Sequence, residues 1–385
     1  MHAENMMNLS LTGHFSPLGR LPFVPHRLSP QGSVRDEPGF LAAVVEQLVD
    51  GGLPATAADS GKLYPWEHLP LVLAVDRDRV LVQNRGEGQP PEPLNLAAHY
   101  GLQAEHWHDY AATDSHHTAY LVFAGLLALD DGDAPVLALT GDFEYFLDLG
   151  HQPLNLQGFD QQEQSVADVL AAQTGGQWEM IRDYAAYGYE GSGLAFAWGQ
   201  PLAAVASLAN WHGSHKFDPA TGEPTLSIRA GWARVTQRGR ELFPRTDPAV
   251  ITAVTAEVGG EEKILLGQAR AWGAGRFSTF AGFVEGGESL EDAVMREVWE
   301  ENGGRVVGMA YLGSQPWPFP RSLMCGYIAV IDNPDQVKAD GAEIETIRWF
   351  TRQELIAAHT HQEVQLPGRS SISRRLIEHW LGKAL

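Results

Sequence analysis

The segment 282–304, GFVEGGESLEDAVMREVWEENGG, constrains this chain more than any other, because it puts acids where an amphipathic helix should be apolar. On a helical wheel advancing about 100° per residue from Leu290, the residues Leu290, Val294 and Val298 form an inward stripe near 0, 40 and 80°, with Ala293 near 300°. Glu297, Glu300 and Glu301 fall at roughly 340, 280 and 20°, bordering or overlapping that stripe. A solvated helix would put its acids opposite the core. Three like charges within about one turn repel one another, at a cost that grows in a partly dry site. A hard divalent cation resolves the conflict, since Mg²⁺ binds carboxylate, water and phosphate oxygens together. Glu288 stands beside Ser289 at the helix start, within reach of the same cluster, and Gly282, Gly286 and Gly287 allow a tight backbone path close to a ligand. Wheel geometry alone leaves a second reading open: a glycine turn followed by a solvated acidic helix.

The rest of the chain sets the context. Its 385 residues, 44% apolar, suffice for two or three domains with real cores. The single cysteine, Cys325, excludes an intrachain disulfide and a four-cysteine zinc site, and suits a reducing cytosol. The start MHAENMMNLS does not read as a signal peptide, and no apolar run reaches the roughly 18 residues of a membrane span. A net charge of −21 opposes a general nucleic-acid-coating or membrane role, but not a nucleotide held in one pocket with a cation.

Composition shifts divide the chain. Residues 1–160 carry short β-like runs (LPLVLAVDRDRVLVQN, TAYLVFAGL, APVLALTG, EYFLDLG) and read as an N-terminal β-rich domain. Residues 161–212 read as a helical connector, and 213–242, rich in Pro and Gly, as a compact turn module. Residues 243–385 mix strands with helices, including AVITAVTAEV, EEKILLGQA, a helix over about Leu290 to Asn302, LMCGYIAVI, IRWFTRQELIAA and the tail SSISRRLIEHWL. The fold class expected is α+β and multidomain. The pairs His106/His108, His116/His117 and His212/His215 lack a third convergent ligand and read as packing or surface residues.

The acidic segment resembles the Nudix box: a glycine, five residues, glutamate, seven residues, then Arg-Glu-apolar-x-Glu-Glu-x-Gly-apolar. Gly282, Glu288, Arg296, Glu297, Val298, Glu300, Glu301 and Gly303 match, while Gly304 replaces the last apolar residue. The resemblance implies a C-terminal Nudix α/β/α sandwich whose Glu297, Glu300 and Glu301 hold Mg²⁺ or Mn²⁺. It implies a supporting role for Glu288 in the metal shell and an orienting role for Arg296.

Downstream lies SQPWPFPRS, 314–322, whose three prolines restrict the backbone before the next strand. Stiffly held Trp317 and Phe319 suit stacking on a planar ring, with Arg321 near phosphate or the ring edge. An aromatic packing hinge fits the same residues equally well. Beside a Nudix box, this run resembles the signature of the NADH pyrophosphatase subfamily, which cleaves NADH or NAD⁺ to AMP and nicotinamide mononucleotide; some members remove NAD caps from RNA. FPRTDPAVI and STFAGFVE resemble that subfamily's approach to the box.

By resemblance, Ser278, Ala281, Phe283, Gln315, Trp317, Phe319, Arg321 and Ser322 are the substrate-binding candidates. The catalytic candidates are Glu301, Glu343, Glu300 and Arg296. Glu343, six residues before Trp349, joins the metal set, with Glu345 as its rival. The resemblance further implies a homodimer. The subfamily usually carries a four-cysteine zinc ribbon before the Nudix domain; the corresponding places here hold Asp218, Thr221, Val235 and Arg238, so no structural zinc is expected.

Overall fold

The computed structural model describes residues 18, 28–29, 40–41, 44, 55–56, 63–64, 70–86, 89–96, 120–129, 132–140, 165–188 and 198–385. These fall into two compact units: the described part of Pro25–Arg245 with Pro318–Arg321, and Leu18 with Thr246–Trp317 and Ser322–Leu385.

The first unit is built on a mixed sheet. Its strands run in the order Leu28–Ser29, Tyr120–Leu129, Gly132–Thr140, Leu71–Asp76, Arg79–Gln83 and Glu92–Pro93, and Gln177–Met180 also pairs with Arg79–Gln83. The runs read from sequence as strands at LPLVLAVDRDRVLVQN, TAYLVFAGL and APVLALTG thus pair in one sheet, whose central residues Val72–Val75, Val80–Val82 and Val136–Leu139 are buried. The strand expected at EYFLDLG and the histidines at 106, 108, 116 and 117 lie outside the described residues. The stretch 161–212 is less uniformly helical than its alanine content suggests. Helices Val166–Thr174 and Gly199–Ser214 flank the strand Gln177–Met180, where sheet pairing overrides local propensity. The turn-rich stretch after it forms a three-stranded antiparallel sheet, Thr225–Ile228, Ala233–Thr236 and Glu241–Leu242. Those strands are too short to show a period.

The second unit is a three-layer sandwich. Its strands are β1 (Asp247–Val258), β2 (Glu261–Ala269), β3 (Phe280–Phe283), β4 (Val306–Trp317), β5 (Ser322–Ile331) and β6 (Ile344–Phe350), and its helices are α1 (Leu290–Asn302), α2 (Arg352–Thr360) and α3 (Ile372–Leu381). The sheet order is β4-β5-β1-β2-β6, with β3 also on β1; β1 and β5 run parallel and the remaining pairs antiparallel. Alternate residues of β1 serve opposite faces, as a two-residue period requires. Val250 and Val254 pack with Ala293, Val294 and Val298 of α1. Ile251 and Ala253 pack with Leu355 of α2 and Ile372, Leu376 and Trp380 of α3. β1, read from sequence as a strand, is therefore buried on both sides.

The proline-rich run departs from expectation. Gln315, Pro316 and Trp317 belong to β4 and pair with Met324, Leu323 and Ser322. Only 318–321 remains as a turn. β4 is an edge strand, so a proline without an N–H is tolerated there. Among the described residues, no helix is long and apolar enough to cross a membrane.

In the first unit Gly231 has φ +92°, and a Cβ there would lie 2.4 Å from Val122 Cγ1. Gly231→Ala should therefore cost about 2 kcal/mol or more. Calorimetry should show a midpoint several degrees lower, and an unchanged midpoint would contradict this packing.

Candidate active site

Helix α1 begins and ends on local signals. Ser289 Oγ accepts the Asp292 N–H at 3.1 Å as N-cap, and Gly303 closes the helix in the left-handed region, with φ 71°. Between these caps, Ala293, Val294 and Val298 are fully buried, and Glu301 is only 6% exposed among them. The wheel placement holds for Glu301, which lies in the apolar stripe, and for Glu297 at its border, whereas Glu300 is exposed and stands outside the stripe it was expected to border.

One guanidinium organises three of the carboxylates. Arg296 Nε and Nη2 donate to Glu288 Oε1 and Oε2 at 2.6 and 2.9 Å; Nη1 donates to Glu297 Oε1 at 2.8 Å and Glu300 Oε2 at 2.9 Å; Nη2 also reaches Phe283 O at 2.9 Å. All five N–H groups of the side chain are thereby used. The fork on Glu288, reinforced by the Glu285 N–H, holds that carboxyl below its ordinary range. Arg296 itself is held even more firmly protonated, chiefly by Glu288.

Glu297 and Glu301 are shifted the other way. Burial raises Glu297, against the opposing pull of Arg296. Burial, then the charges of Glu297 and Glu343, push Glu301 up to about 8, although the Ala281 N–H donates to it. Glu301 Oε2 is buried with no hydrogen-bond partner. Gly282 leaves room for the neighbouring acid: a Cβ there would fall 1.8 Å from Glu297 Oε1. Strand β3 thus meets two carboxylates through its backbone, one at Ala281 and one at Gly282.

The distal glutamate is set by a turn. Asp340 accepts the Glu343 and Ile344 N–H groups at 3.0 and 2.8 Å, and its own N–H donates to Glu301 O at 3.2 Å. Glu343 acts electrostatically on both Glu297 and Glu301, whereas Glu345 accepts a hydrogen bond from Gln268 Nε2 at 3.2 Å. Of the two candidates, Glu343 is the one whose charge acts on both buried acids. Asp340 was missed from sequence, although its Asp-Gly pair is a turn signal that could have located it.

Among the described residues, no three His, Cys, Asp or Glu side chains stand gathered as a ready metal cage. Glu297 and Glu300 are engaged by Arg296, while Glu301 is held by Ala281. The donor set nonetheless fits a hard divalent cation. It consists of oxygen atoms only, it is too negative for its burial, and one buried carboxylate oxygen lacks a partner.

The substrate candidates separate into groups. Phe283 is 58% exposed beside the carboxylates, and Ala281, Trp317 and Ser322 are half-buried. Ser278 and Gln315 are buried and hydrogen-bonded within the protein: Ser278 Oγ lies 2.8 Å from Ser373 Oγ, and Gln315 spans Ser370 O and Ile372 N–H. Phe319 and Arg321 fall in the other unit, where Asn210 Nδ2 donates to Pro318 O at 3.1 Å.

In the first unit the four ribbon places make no thiolate site. Asp218 accepts from Ala220 N–H and Thr221 Oγ1, both at 3.0 Å; Val235 pairs with Leu226; Arg238 meets Glu223 at 2.8 Å. Nearby, buried His212 accepts from Arg234 Nη1 at Nδ1 and contacts Gly231 O through Nε2, which assigns the proton to Nε2. Burial, then Arg234, lowers its pKa to about 3, so this histidine is a neutral core residue.

The raised carboxyl of Glu301 has a sign that can be checked. Folded, it titrates near 8, against an ordinary 4.5. The native state then holds the extra proton between those values, and stability falls as pH rises from about 4.5 to 8. In chelator, Glu301→Gln should match wild type near pH 4 and unfold at least about 2 °C higher at pH 8.5. Equal midpoints at both pH values would contradict the buried-acid reading.

Residues 245–368 match the NUDIX domain. The chain is 44% identical over 190 residues to the NAD-capped RNA hydrolase NudC of Mycobacterium bovis, covering 47% of this chain and 60% of that protein. It is 37% identical over 192 residues to the human NAD-capped RNA hydrolase NUDT12, covering 47% of this chain and 41% of that protein. It is also similar to the solved Nudix hydrolase of Nitrosomonas europaea, at 25% identity and TM-score 0.28, over 36% of this chain and 92% of that one. The chain thus spans about three fifths of the mycobacterial relative's length and two fifths of the human one's. A NUDIX domain therefore occupies residues 245–368, in a chain closely related in sequence to the NAD-capped RNA hydrolases.

Proposed function

We propose that the protein hydrolyses the pyrophosphate bond of NADH or NAD⁺ to AMP and nicotinamide mononucleotide, and acts likewise on an NAD-capped RNA 5′ end. The observation that carries this reading is the buried carboxylate of Glu301, whose Oε2 has no hydrogen-bond partner, beside Glu297 in a NUDIX domain. Sequence likeness to the two NAD-capped RNA hydrolases supports the substrate class.

Glu297, Glu300 and Glu301 would hold Mg²⁺ or Mn²⁺, with Glu343 and Glu288 in support; such an ion supplies charge neutralisation on the pyrophosphate and a more acidic water. Glu301 or Glu343 would take a proton from an attacking water. Arg296 orients Glu288, Glu297 and Glu300 through four hydrogen bonds and ties them to β3 through a fifth, to Phe283 O. Phe283, exposed at the end of β3, is suited to pack on a planar ring, and Trp317 is a second candidate. The homodimer implied by the resemblance of the acidic box and the SQPWPFPRS run is part of this proposal; light scattering at twice the chain mass supports it, and the mass of one chain contradicts it.

Incubation with NADH, NAD⁺, ADP-ribose or NAD-capped RNA, with Mg²⁺ or Mn²⁺, should yield AMP and the reduced mononucleotide from NADH on chromatography. Glu301→Gln should lower that turnover at least about 100-fold with the fold intact. Undiminished activity in that variant would refute the site. Binding without cleavage of any substrate would make the protein a nucleotide sensor. Gly282→Ala adds a sharper check. Its methyl displaces the Glu297 carboxylate and should cost about 10-fold or more in turnover with little change in melting.

A further inference from the structure

The carboxylate-bearing region depends on a part of the chain that lies beyond the matched domain. Ser373, in the first turn of α3, is 2% exposed. Its hydroxyl lies 2.8 Å from Ser278 Oγ and 2.7 Å from Thr279 Oγ1, and it accepts the Thr279 N–H at 3.3 Å. A hydroxyl has one hydrogen to donate and two lone pairs, so these three contacts saturate it. Ser278 and Thr279 lead directly into β3, whose Ala281 N–H donates to Glu301 and whose Gly282 lies against Glu297. A second clamp holds the same helix turn: Gln315 of β4 donates to Ser370 O and accepts the Ile372 N–H, both at 2.8 Å. Both clamps are buried, where an unmet polar group is costly and geometry is correspondingly strict.

We infer that Ser373 is a positioning residue for the carboxylate site, acting through Ser278 and Thr279 on strand β3 and thereby on Glu297 and Glu301. Gln315 fixes the helix turn from which Ser373 projects. The inference rests on the proposed hydrolase reading for its kinetic consequence, but its structural part stands apart from that reading. Ser373→Ala keeps a good helix former in the first turn of α3 and removes only the shared oxygen. Ser373→Thr retains the oxygen.

The decisive experiment follows hydrogen exchange of peptides covering 278–284 and Mn²⁺ binding by paramagnetic resonance, on the full chain, beside NADH kinetics. Ser373→Ala should speed exchange in 278–284 at least threefold relative to the α2 peptides and weaken Mn²⁺ binding three- to tenfold. Its turnover number with NADH at saturating Mn²⁺ should recover to within twofold of wild type. Ser373→Thr should restore exchange and Mn²⁺ binding. Unchanged exchange and Mn²⁺ binding in Ser373→Ala would overturn the inference, as would a uniform rise in exchange across the whole unit, which marks a merely structural residue. Wild-type protein that binds Mn²⁺ yet cleaves no dinucleotide would refute the proposed activity and leave the exchange and Mn²⁺ comparison to decide the role of Ser373.

Discussion

A carboxylate buried among other carboxylates is the constraint around which the second unit is arranged. Glu301 occupies a position that the packing of α1 would otherwise give to an apolar side chain, between the stripe of Val294 and Val298 and the backbone of β3. Desolvation and the like charges of Glu297, Glu343 and Asp340 act against its ionised form, and the Ala281 amide acts for it. A fold retains such an unfavourable group where its chemistry is used. Arg296 handles the opposite problem, aligning Glu288, Glu297 and Glu300 with four of its donors and holding the Glu288 carboxyl below its ordinary range.

The layers of the sandwich turn this constraint into a site. α1 presents the acids from one face of the sheet, while α3 on the other face holds the segment that leads into β3. β3 is the contact between them, and its glycine at 282 lets the Glu297 carboxylate come against bare backbone. The Asp340 turn adds Glu343 from the loop before β6. Two acids of α1 thus meet two adjacent backbone positions of β3, so small shifts of β3 are felt by both.

Much of this was legible in the sequence, because it is local. The wheel positions of Glu297 and Glu301, the helix over about Leu290 to Asn302, and the strands β1, β2, β5 and β6 follow from periodicity within a few residues. What escaped is long-range. Ser278 reads as a pocket residue by likeness, but its hydroxyl is held by Ser373, 95 positions away; Gln315 is held by residues 55 and 57 positions away. No spacing rule couples such distant residues. Pro316 misled differently, since the edge position that lets a proline join a strand is a property of the assembled sheet. In the first unit, the sheet at 225–242 stands without thiolates. It is held by the Asp218 turn and by the buried His212–Arg234–Thr225 hydrogen bonds, which carry no sequence signature of their own.

The most direct test of the account is a Mn²⁺ titration of the wild-type chain and of Glu301→Gln, followed by paramagnetic resonance without substrate. The account predicts saturable binding of at least one ion by the wild type, and a marked loss of affinity when the buried Glu301 carboxylate, whose Oε2 has no hydrogen-bond partner, becomes an amide. Binding of equal strength in both proteins, or none in the wild type, would contradict the claim that Glu301 is kept buried and unpaired as a metal ligand.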